Sequence, residues 1–347
     1  MSQIEKEEET QRKKAQITHQ IALLREAIKQ VSVTEWCYNE KSCEPDTWSR
    51  LGFCGGNRQS PLDINESAVV RNSSLGSFQF TGYDNATLLL SIKNLGHTVE
   101  VALDDGVSIS GGGLNTEYSA IAFHFHWGNG TSSPGSEHRL SGKQFPMEMH
   151  IVHTINKLNL SESRKNSTGI AVLAFFINVA ENTSFSSNLS TLSNLLQQVS
   201  TAGLLVPLNA TISINSLLGQ VDRTSYYRYL GSLTTPTCDE AVIWTVFKNP
   251  ILVPASVINT FPEQLYFNGS DELQMLANNF RPLQKIGSRL VHSSMSATPT
   301  AIVSTTKHTT VSITNHTPSS IHTKQILIPS TVLAIMCFLY TEASLTC

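Results

Sequence analysis

Two segments in the middle of the chain alternate polar residues with large apolar ones, and this pattern constrains the fold more than any other feature. They are FHFHW at residues 123–127 and MEMHIVH at residues 147–153. A period of two is typical of a β-strand, whose successive side chains point to opposite faces of a sheet. Similar runs at 88–92 and 97–103 precede a glycine-rich turn at 111–113. These patterns predict a mainly β (α+β) fold built on a large twisted sheet.

The polar faces of these two segments carry candidate metal ligands. His124 and His126 point to one face of the first strand, and His150 shares a face of the second strand with Glu148. If the two strands are antiparallel neighbours, three imidazoles converge. Three neutral imidazoles with a fourth position left open is the arrangement of catalytic zinc. Because a His-x-His pair alone is more often a surface feature or a pair of satisfied polar groups, the prediction of a Zn²⁺ site depends on the third histidine.

Composition and charge divide the chain of 347 residues into a core-forming middle and two different ends. The net charge of −3, with no long basic block in the middle, argues against nucleic acid as a partner. Residues 1–35 predict a charged extension, either helical or disordered, with an oligomerisation helix over Ile17 to Val31 as the alternative. Residues 36–285 predict one domain, and the spacing at 189–199 predicts a helix on its surface.

The C-terminal part has the layout of a lipid-attachment signal. Residues 286–325 are rich in Ser and Thr and predict a stalk, and residues 326–347 form a hydrophobic tail. A polar spacer followed by such a tail indicates a glycosylphosphatidylinositol (GPI) anchor, with an uncleaved tail anchor as the alternative. We therefore expect the protein at the extracellular face of the plasma membrane, although no signal peptide is visible in the first 35 residues.

Two further features agree with export. Asn-x-Ser/Thr sites, which are glycosylated only in the secretory pathway, are dense. They include Asn65, Asn72, Asn85, Asn129, Asn159, Asn166, Asn182, Asn188, Asn209 and Asn268. The four cysteines of the domain, which permit three pairings, are Cys37, Cys43, Cys54 and Cys238. Disulfides among them require an oxidising compartment.

Seven motifs, in order along the chain, resemble those of the α-class carbonic anhydrases. They are QSPLDI (59–64), GH (96–97), SGGGL (110–114), FHFHWG (123–128), GSEH (135–138), MEMHIVH (147–153) and GSLTTPTC (231–238). The segment at 226–244, the extra cysteines and the apolar tail are similar to the membrane-anchored type IV branch. This resemblance implies a mostly antiparallel sheet with small peripheral helices, and it pairs Cys37 with Cys43 and Cys54 with Cys238.

The resemblance also implies a reaction, the reversible hydration of carbon dioxide to bicarbonate by zinc-bound hydroxide. Thr234 would orient the hydroxide while donating its own proton to Glu137. Carbon dioxide would occupy an apolar pocket, and His97 would relay the released proton. The residues implied for the pocket are Val152, Val172, Leu233, Val242 and Trp244, with Thr235 beside them. Glu148 and a main-chain carbonyl near Asn279 would orient the ligands His150 and His126, and Tyr38 and Asn94 would order water near His97.

Two positions depart from the family pattern. Ala122 stands where the family usually has a glutamine that serves His124, and Leu95 stands where it commonly has asparagine. The first departure predicts weaker zinc binding or slower turnover, and the second a changed water chain.

Two other functions use the same fold, a silent carbonic-anhydrase-like binding or adhesion module and a zinc esterase. All three histidines are present, which favours the enzyme. Carbon dioxide, bicarbonate and sulfonamide or anion inhibitors are the expected ligands, and the sequence identifies no protein partner.

Overall fold

The computed structural model describes residues 36–182, 187–267 and 274–294. The predictions for residues 1–35 and for the hydrophobic tail lie outside the described residues, as does most of the predicted stalk. Its first residues, 286–294, belong to the fold instead, because His292 and Ser293 form a strand that pairs within the main sheet. The folded part of the chain therefore reaches at least Ser294.

Fifteen strands make up most of the regular structure of the described residues. In chain order, β1 to β15 are Asp63–Ile64, Val70–Arg71, Phe78–Thr81, Leu89–Asn94, Val99–Leu103, Ser108–Gly111, Tyr118–Trp127, Arg139–Leu140, Lys143–Gln144, Met147–Ile155, Ile170–Val179, Leu205–Pro207, Tyr226–Gly231, Val242–Val253 and His292–Ser293. The four runs predicted as strands correspond to β4, β5, β7 and β10.

The helices are short. The α-helices α1 to α4 are Leu160–Ser163, Leu189–Ser193, Ile214–Leu218 and Ala255–Gln264, and three 3₁₀ turns are Pro45–Arg50, Ala86–Leu88 and Leu196–Val199. The helix predicted over 189–199 is two pieces, α2 and a 3₁₀ turn. Its apolar residues still point inward as their spacing requires, because Leu189, Leu192, Leu196 and Val199 are all buried. No helix in the described part of the chain is long and apolar enough to cross a membrane.

One large mixed sheet dominates the fold. Its strand order is β12-β4-β5-β7-β10-β11-β14-β13-β15-β2, and β6 joins β3 to β7. Most pairings are antiparallel, whereas β11 and β14 are parallel, as are β15 and β2. A small separate sheet has the order β1-β8-β9. The mainly β fold predicted from the sequence is confirmed.

The central strands carry apolar side chains on both faces. On one face Phe123, Phe125, Met147 and Met149 belong to the larger core cluster, against which α4 also packs. On the other face Val172, Val242 and Trp244 belong to a second cluster. Strands β7 and β10 are buried along nearly their whole length. Polar side chains on the second face are therefore held rigidly at the middle of the sheet.

Candidate metal centre

Strands β7 and β10 bring the three predicted histidines together. They pair antiparallel, with His150 directly opposite His124 and Glu148 opposite His126. Residues directly opposite each other share a face, so all three imidazoles stand on the same side of the sheet. One nitrogen from each ring lies within 4.8 Å of the others. Such a cluster can hold one metal ion.

Two of these imidazoles are locked in place by hydrogen bonds. His126 and His150 are each 1% exposed, whereas His124 is half-buried. Nδ1 of His126 donates to the carbonyl oxygen of Asn279 at 2.7 Å, and Nε2 of His150 donates to Oε1 of Glu148 at 2.6 Å. These bonds use the outer ring nitrogens, so Nε2 of His126 and Nδ1 of His150 face the other histidines of the cluster.

The surroundings keep the rings neutral, as metal binding requires. Burial lowers the pKa of His126 to about 4 and lowers those of His124 and His150 as well. Nε2 of His126 is buried and makes no hydrogen bond to any described residue. A buried nitrogen without a partner is costly unless something binds it. Three nitrogen donors of this kind fit zinc.

Glu137 and Thr234 lie beside the cluster. Oε2 of Glu137 is 3.5 Å from Nε2 of His126 and 4.0 Å from Nδ1 of His150. The main-chain N–H of Arg281 donates to Oε1 of Glu137 at 2.9 Å. Burial raises the pKa of Glu137 to about 7, although the nearby His150 and the hydroxyl of Thr234 lower it in part. The carboxylate is thus fixed within reach of both a hydroxyl and the histidines.

The apolar residues implied for the pocket gather around Trp244. Val152, Val172 and Val242 are buried with it in one cluster, and Leu233 packs against that cluster. The ring of Trp244 lies edge-on to His150, with centroids 4.8 Å apart. Thr235 is half-buried next to Thr234, where its carbonyl accepts from Cys238. The apolar cluster therefore borders the metal cluster directly.

Ile121 also packs against this apolar cluster, and the sequence did not reveal it. Strict alternation along β7 would place Ile121 on the opposite face, with Phe123 and Phe125. The pairing with β10 shifts register between Val152 and His153 and skips Ile121. Such a bulge redirects a side chain, and nothing in the local periodicity marks it.

His97 lies on the turn before β5, next to a cluster of Trp36, Tyr38 and Trp48 that we call the aromatic wall. Its ring is edge-on to Trp36 at a centroid distance of 4.8 Å, and Trp36 in turn contacts Tyr38 and Trp48. His97 is half-buried. Burial, followed by the nearby His126, lowers the pKa of His97 to about 4. The hydroxyl of Tyr38 is buried and makes no hydrogen bond to any described residue.

Asn94, which the resemblance implies as a water-ordering residue, is held by main-chain groups. It is fully buried, and its Nδ2 donates to the carbonyls of Ser200 and Tyr266 while its Oδ1 accepts from Gly96. Its hydrogen-bonding groups are thus engaged by the main chain. Asn94 therefore shapes the turn that carries His97, and its implied role in ordering water stays a prediction.

A buried chain of hydrogen bonds continues behind Glu148. Nδ1 of His138 lies 2.6 Å from Oε1 of Glu148, and Nε2 of His138 lies 2.6 Å from the hydroxyl of Tyr229. That hydroxyl is 2.9 Å from Oγ of Ser60. Burial raises the pKa of Glu148, but His138 and His150 lower it more, so the net shift is downward. The sequence revealed His138, Tyr229 and Ser60 only as motif residues without roles.

Two disulfides lie on the same side as the aromatic wall. They join Cys37 to Cys43 and Cys54 to Cys238, the pairs that the resemblance implies. Cys54 and Cys238 pack with Trp48 in a small cluster. The second disulfide therefore ties the N-terminal segment to the loop that carries Thr234 and Thr235.

The fold and the site together define a class of protein: a mainly β domain with three histidines converging on the central strands of its sheet. The sequence pattern described as eukaryotic-type carbonic anhydrase matches residues 43–295. This match covers well over half of the chain. The chain belongs to the eukaryotic-type carbonic anhydrase family and is an enzyme of the carbonate dehydratase class.

Individual relatives agree with this membership. Carbonic anhydrase 4 of Rattus norvegicus is 38% identical over 278 residues, which are 75% of this chain and 85% of that protein. Carbonic anhydrase 15 of Mus musculus is 38% identical over 78% of this chain and 86% of its own length. Carbonic anhydrase 12 of Homo sapiens is 37% identical over 77% of this chain and 75% of its own length.

Proposed function

We propose that this chain binds Zn²⁺ through His124, His126 and His150 and catalyses the reversible hydration of carbon dioxide. The observation that carries this proposal is the convergence of three imidazole nitrogens within 4.8 Å on two paired strands. Zinc held there would supply Lewis-acid activation of a water molecule at neutral pH, which is the general property of such a site.

Thr234 and Glu137 would select and orient the attacking water. In its ionised form the carboxylate of Glu137 would accept a hydrogen bond from the hydroxyl of Thr234, which already lowers the pKa of Glu137, so the oxygen of Thr234 would present only lone pairs to the cleft. It could then accept a hydrogen bond from the water and aim the water at the substrate. The main-chain N–H of Arg281, which donates to Oε1, holds the carboxylate of Glu137 in place.

The apolar cluster beside His150 would receive the substrate. Carbon dioxide is uncharged and apolar, so Val152, Val172, Leu233, Val242 and Trp244 provide a suitable surface. Thr235, half-buried at its edge, would contact bicarbonate or an inhibitor. Sulfonamides and small anions would compete at the zinc position.

The proton released in each turnover would leave through His97. Its ring contacts Trp36, and it is close enough to His126 that this histidine lowers its pKa. The unpartnered hydroxyl of Tyr38 supports a role in ordering water on this path. Because the pKa of His97 is about 4, accepting a proton at neutral pH is unfavourable, and the relay would be slow.

Glu148 and Asn279 would fix the tautomers of two zinc ligands. Each accepts the ring N–H that faces away from the cluster, on His150 and His126 respectively. Such partners orient a ligand and raise its basicity. His138 and Tyr229 extend this support behind Glu148.

The cellular location is proposed from the sequence and from the surface. The acceptor asparagines that the structure describes are exposed, except for the half-buried Asn72, so glycans are compatible with the fold. Together with the two disulfides this supports an extracellular enzyme. The tail at 326–347 supports attachment to the outer face of the membrane by a GPI anchor.

Stopped-flow measurement of carbon dioxide hydration by the full chain, with zinc quantified in the same sample, tests the proposal. We expect one zinc per chain and hydration well above buffer, both lost in His124→Ala and both kept in His292→Ala. Zinc without hydration would instead favour the silent binding module. Faster turnover of small esters than of carbon dioxide would favour the esterase.

A further inference from the structure

His124 differs from the other two histidines in lacking a partner for its second ring nitrogen. His126 is held by Asn279 and His150 by Glu148, whereas His124 makes no hydrogen bond to any described residue. The residue two positions before it, Ala122, carries only a methyl group. Zinc-binding histidines almost always donate their second N–H to an acceptor. The acceptor for His124 must then be water or a side chain from a neighbouring strand.

Glu100 stands next to His124 across the sheet. Strands β5 and β7 pair antiparallel, with Glu100 directly opposite His124, and His124 is in turn opposite His150 on β10. The three side chains thus form one row on the face that carries the metal cluster. Cβ atoms of directly opposed residues lie about 4.5–5.5 Å apart. A glutamate side chain is long enough to span the remaining gap, and Ala122 carries only a methyl group where a longer side chain would compete for His124.

The charge of Glu100 has one other neighbour in this row. Lys93 on β4 lies directly opposite Glu100 on its far side. Glu100 is half-buried, and burial raises its pKa, while Lys93 partly lowers it. A carboxylate partly removed from water is stabilised by a further N–H donor. His124 has such a donor, and no described residue uses it.

We propose that Glu100 is a positioning residue of the metal centre, whose carboxylate accepts the second ring N–H of His124 when zinc is bound. It would serve His124 as Glu148 serves His150, and it would replace the glutamine that is absent at position 122. This inference rests on the proposed zinc site.

The test is zinc release from the full chain, followed with a chromogenic chelator, in Glu100→Ala and in the exposed-carboxylate control Glu117→Ala. We expect release from Glu100→Ala to be about 10-fold to 100-fold faster than from wild type, the usual effect of losing such a partner. Glu117→Ala should release zinc at the wild-type rate. Glu100→Gln keeps an acceptor oxygen and should fall between wild type and Glu100→Ala.

A double variant that moves the acceptor from position 100 to position 122, together with an NMR signal of His124, distinguishes a positioning role of Glu100 from a general effect of its charge. Glu100→Ala combined with Ala122→Gln should return zinc release towards the wild-type rate. In zinc-loaded protein labelled with ¹⁵N-histidine, the NMR signal of the slowly exchanging ring N–H of His124 should disappear in Glu100→Ala and reappear in the double variant.

The outcomes distinguish this inference from the proposed function. Wild-type chain without zinc would overturn the proposed function. Wild type that binds zinc, with release from Glu100→Ala no faster than from Glu117→Ala, would overturn only the role of Glu100. Faster zinc release from Glu100→Ala with an unchanged NMR signal of the His124 ring N–H would also overturn the role of Glu100, because the effect would then be electrostatic.

Discussion

The main-chain carbonyl of Asn279 accepts a hydrogen bond from Nδ1 of His126 at 2.7 Å, and the side chain of the same residue holds the strand on which His126 lies. Its Oδ1 accepts from the N–H of Trp127 at 2.8 Å, and its Nδ2 donates to the carbonyls of Phe125 and His97. One residue thus joins a candidate zinc ligand to the turn that carries the proposed proton relay.

Replacing Asn279 should separate the role of its main-chain carbonyl, which holds His126, from the role of its side chain, which holds the strand and the turn. Asn279→Ala keeps the carbonyl that serves His126 but leaves the buried N–H of Trp127 without its acceptor. We expect zinc to be retained and the free energy of unfolding to fall by about 1–3 kcal/mol, the cost of an unsatisfied buried group. Urea unfolding with zinc analysis checks this. Asn279→Asp keeps the acceptor for Trp127, but its second carboxylate oxygen would face the carbonyl oxygens of Phe125 and His97 and repel them. We therefore expect Asn279→Asp to be no more stable than Asn279→Ala. A wild-type unfolding midpoint in Asn279→Ala would contradict this account.

His97→Ala should lower kcat without changing kcat/KM. The proton leaves after bicarbonate, so its transfer does not enter kcat/KM. We expect a loss of no more than about 10²-fold, the lower end for a positioned proton carrier, because the pKa of His97 is poorly matched to the task. Stopped-flow kinetics in dilute buffer measures it, and imidazole added to the solution should restore kcat. An equal fall in kcat/KM would argue against a relay.

Trp36→Ala should act on the same step in the opposite direction. Removing the indole exposes His97 to water, and its pKa should rise from about 4 towards the ordinary 6.5. At neutral pH a carrier with the higher pKa accepts a proton more readily, so kcat should increase in dilute buffer. NMR titration of His97 in the two proteins checks the cause. An unchanged pKa would show that the indole does not control this histidine.

Acid should destabilise the fold through His153, which lies on the face opposite the metal cluster. It is fully buried between the hydroxyl of Tyr83 and the carbonyl of Ala171, and burial lowers its pKa from 6.5 to about 4. Between these pH values the unfolded chain binds a proton that the folded chain does not. Its contribution to the free energy of unfolding should therefore fall as pH drops through this window, by up to about 3 kcal/mol.

Urea unfolding of wild type and His153→Gln, above and below this pH window, measures that contribution. Glutamine does not titrate, so the variant should lose less stability on acidification, although it is expected to be less stable at neutral pH. Equal losses in both proteins would assign the acid sensitivity to other groups.

The two disulfides should contribute unequally to stability. Cys54 and Cys238 are 184 residues apart, whereas Cys37 and Cys43 are 6 apart. Loop-closure entropy gives about 5 kcal/mol for the long loop and about 2 kcal/mol for the short one. Urea unfolding of the Cys54→Ser/Cys238→Ser and Cys37→Ser/Cys43→Ser chains compares them. A larger loss from the short loop would show that local packing outweighs chain entropy.

The sequence alone determined which side chains share a face of the sheet. The period of two along β7 and β10 placed His124, His126 and His150 on polar faces, since alternation is a local property of an extended chain. The same local reasoning identified the inward residues of α2 and of the 3₁₀ turn after it. The roles of Thr234 and Glu137 came from the family resemblance.

Only the tertiary structure decided which faces meet and in what register. Strand pairing placed Glu100 opposite His124, and a bulge in β7 moved the side chain of Ile121 to the other face of the sheet. Packing bonded the side chain of Asn94 to main-chain groups. It also joined His138 to Tyr229, 91 residues further along the chain. These relationships depend on strand order, pairing and packing between distant segments. Periodicity within one segment carries no information about its partner, and a shift of one residue in register would have reversed every face.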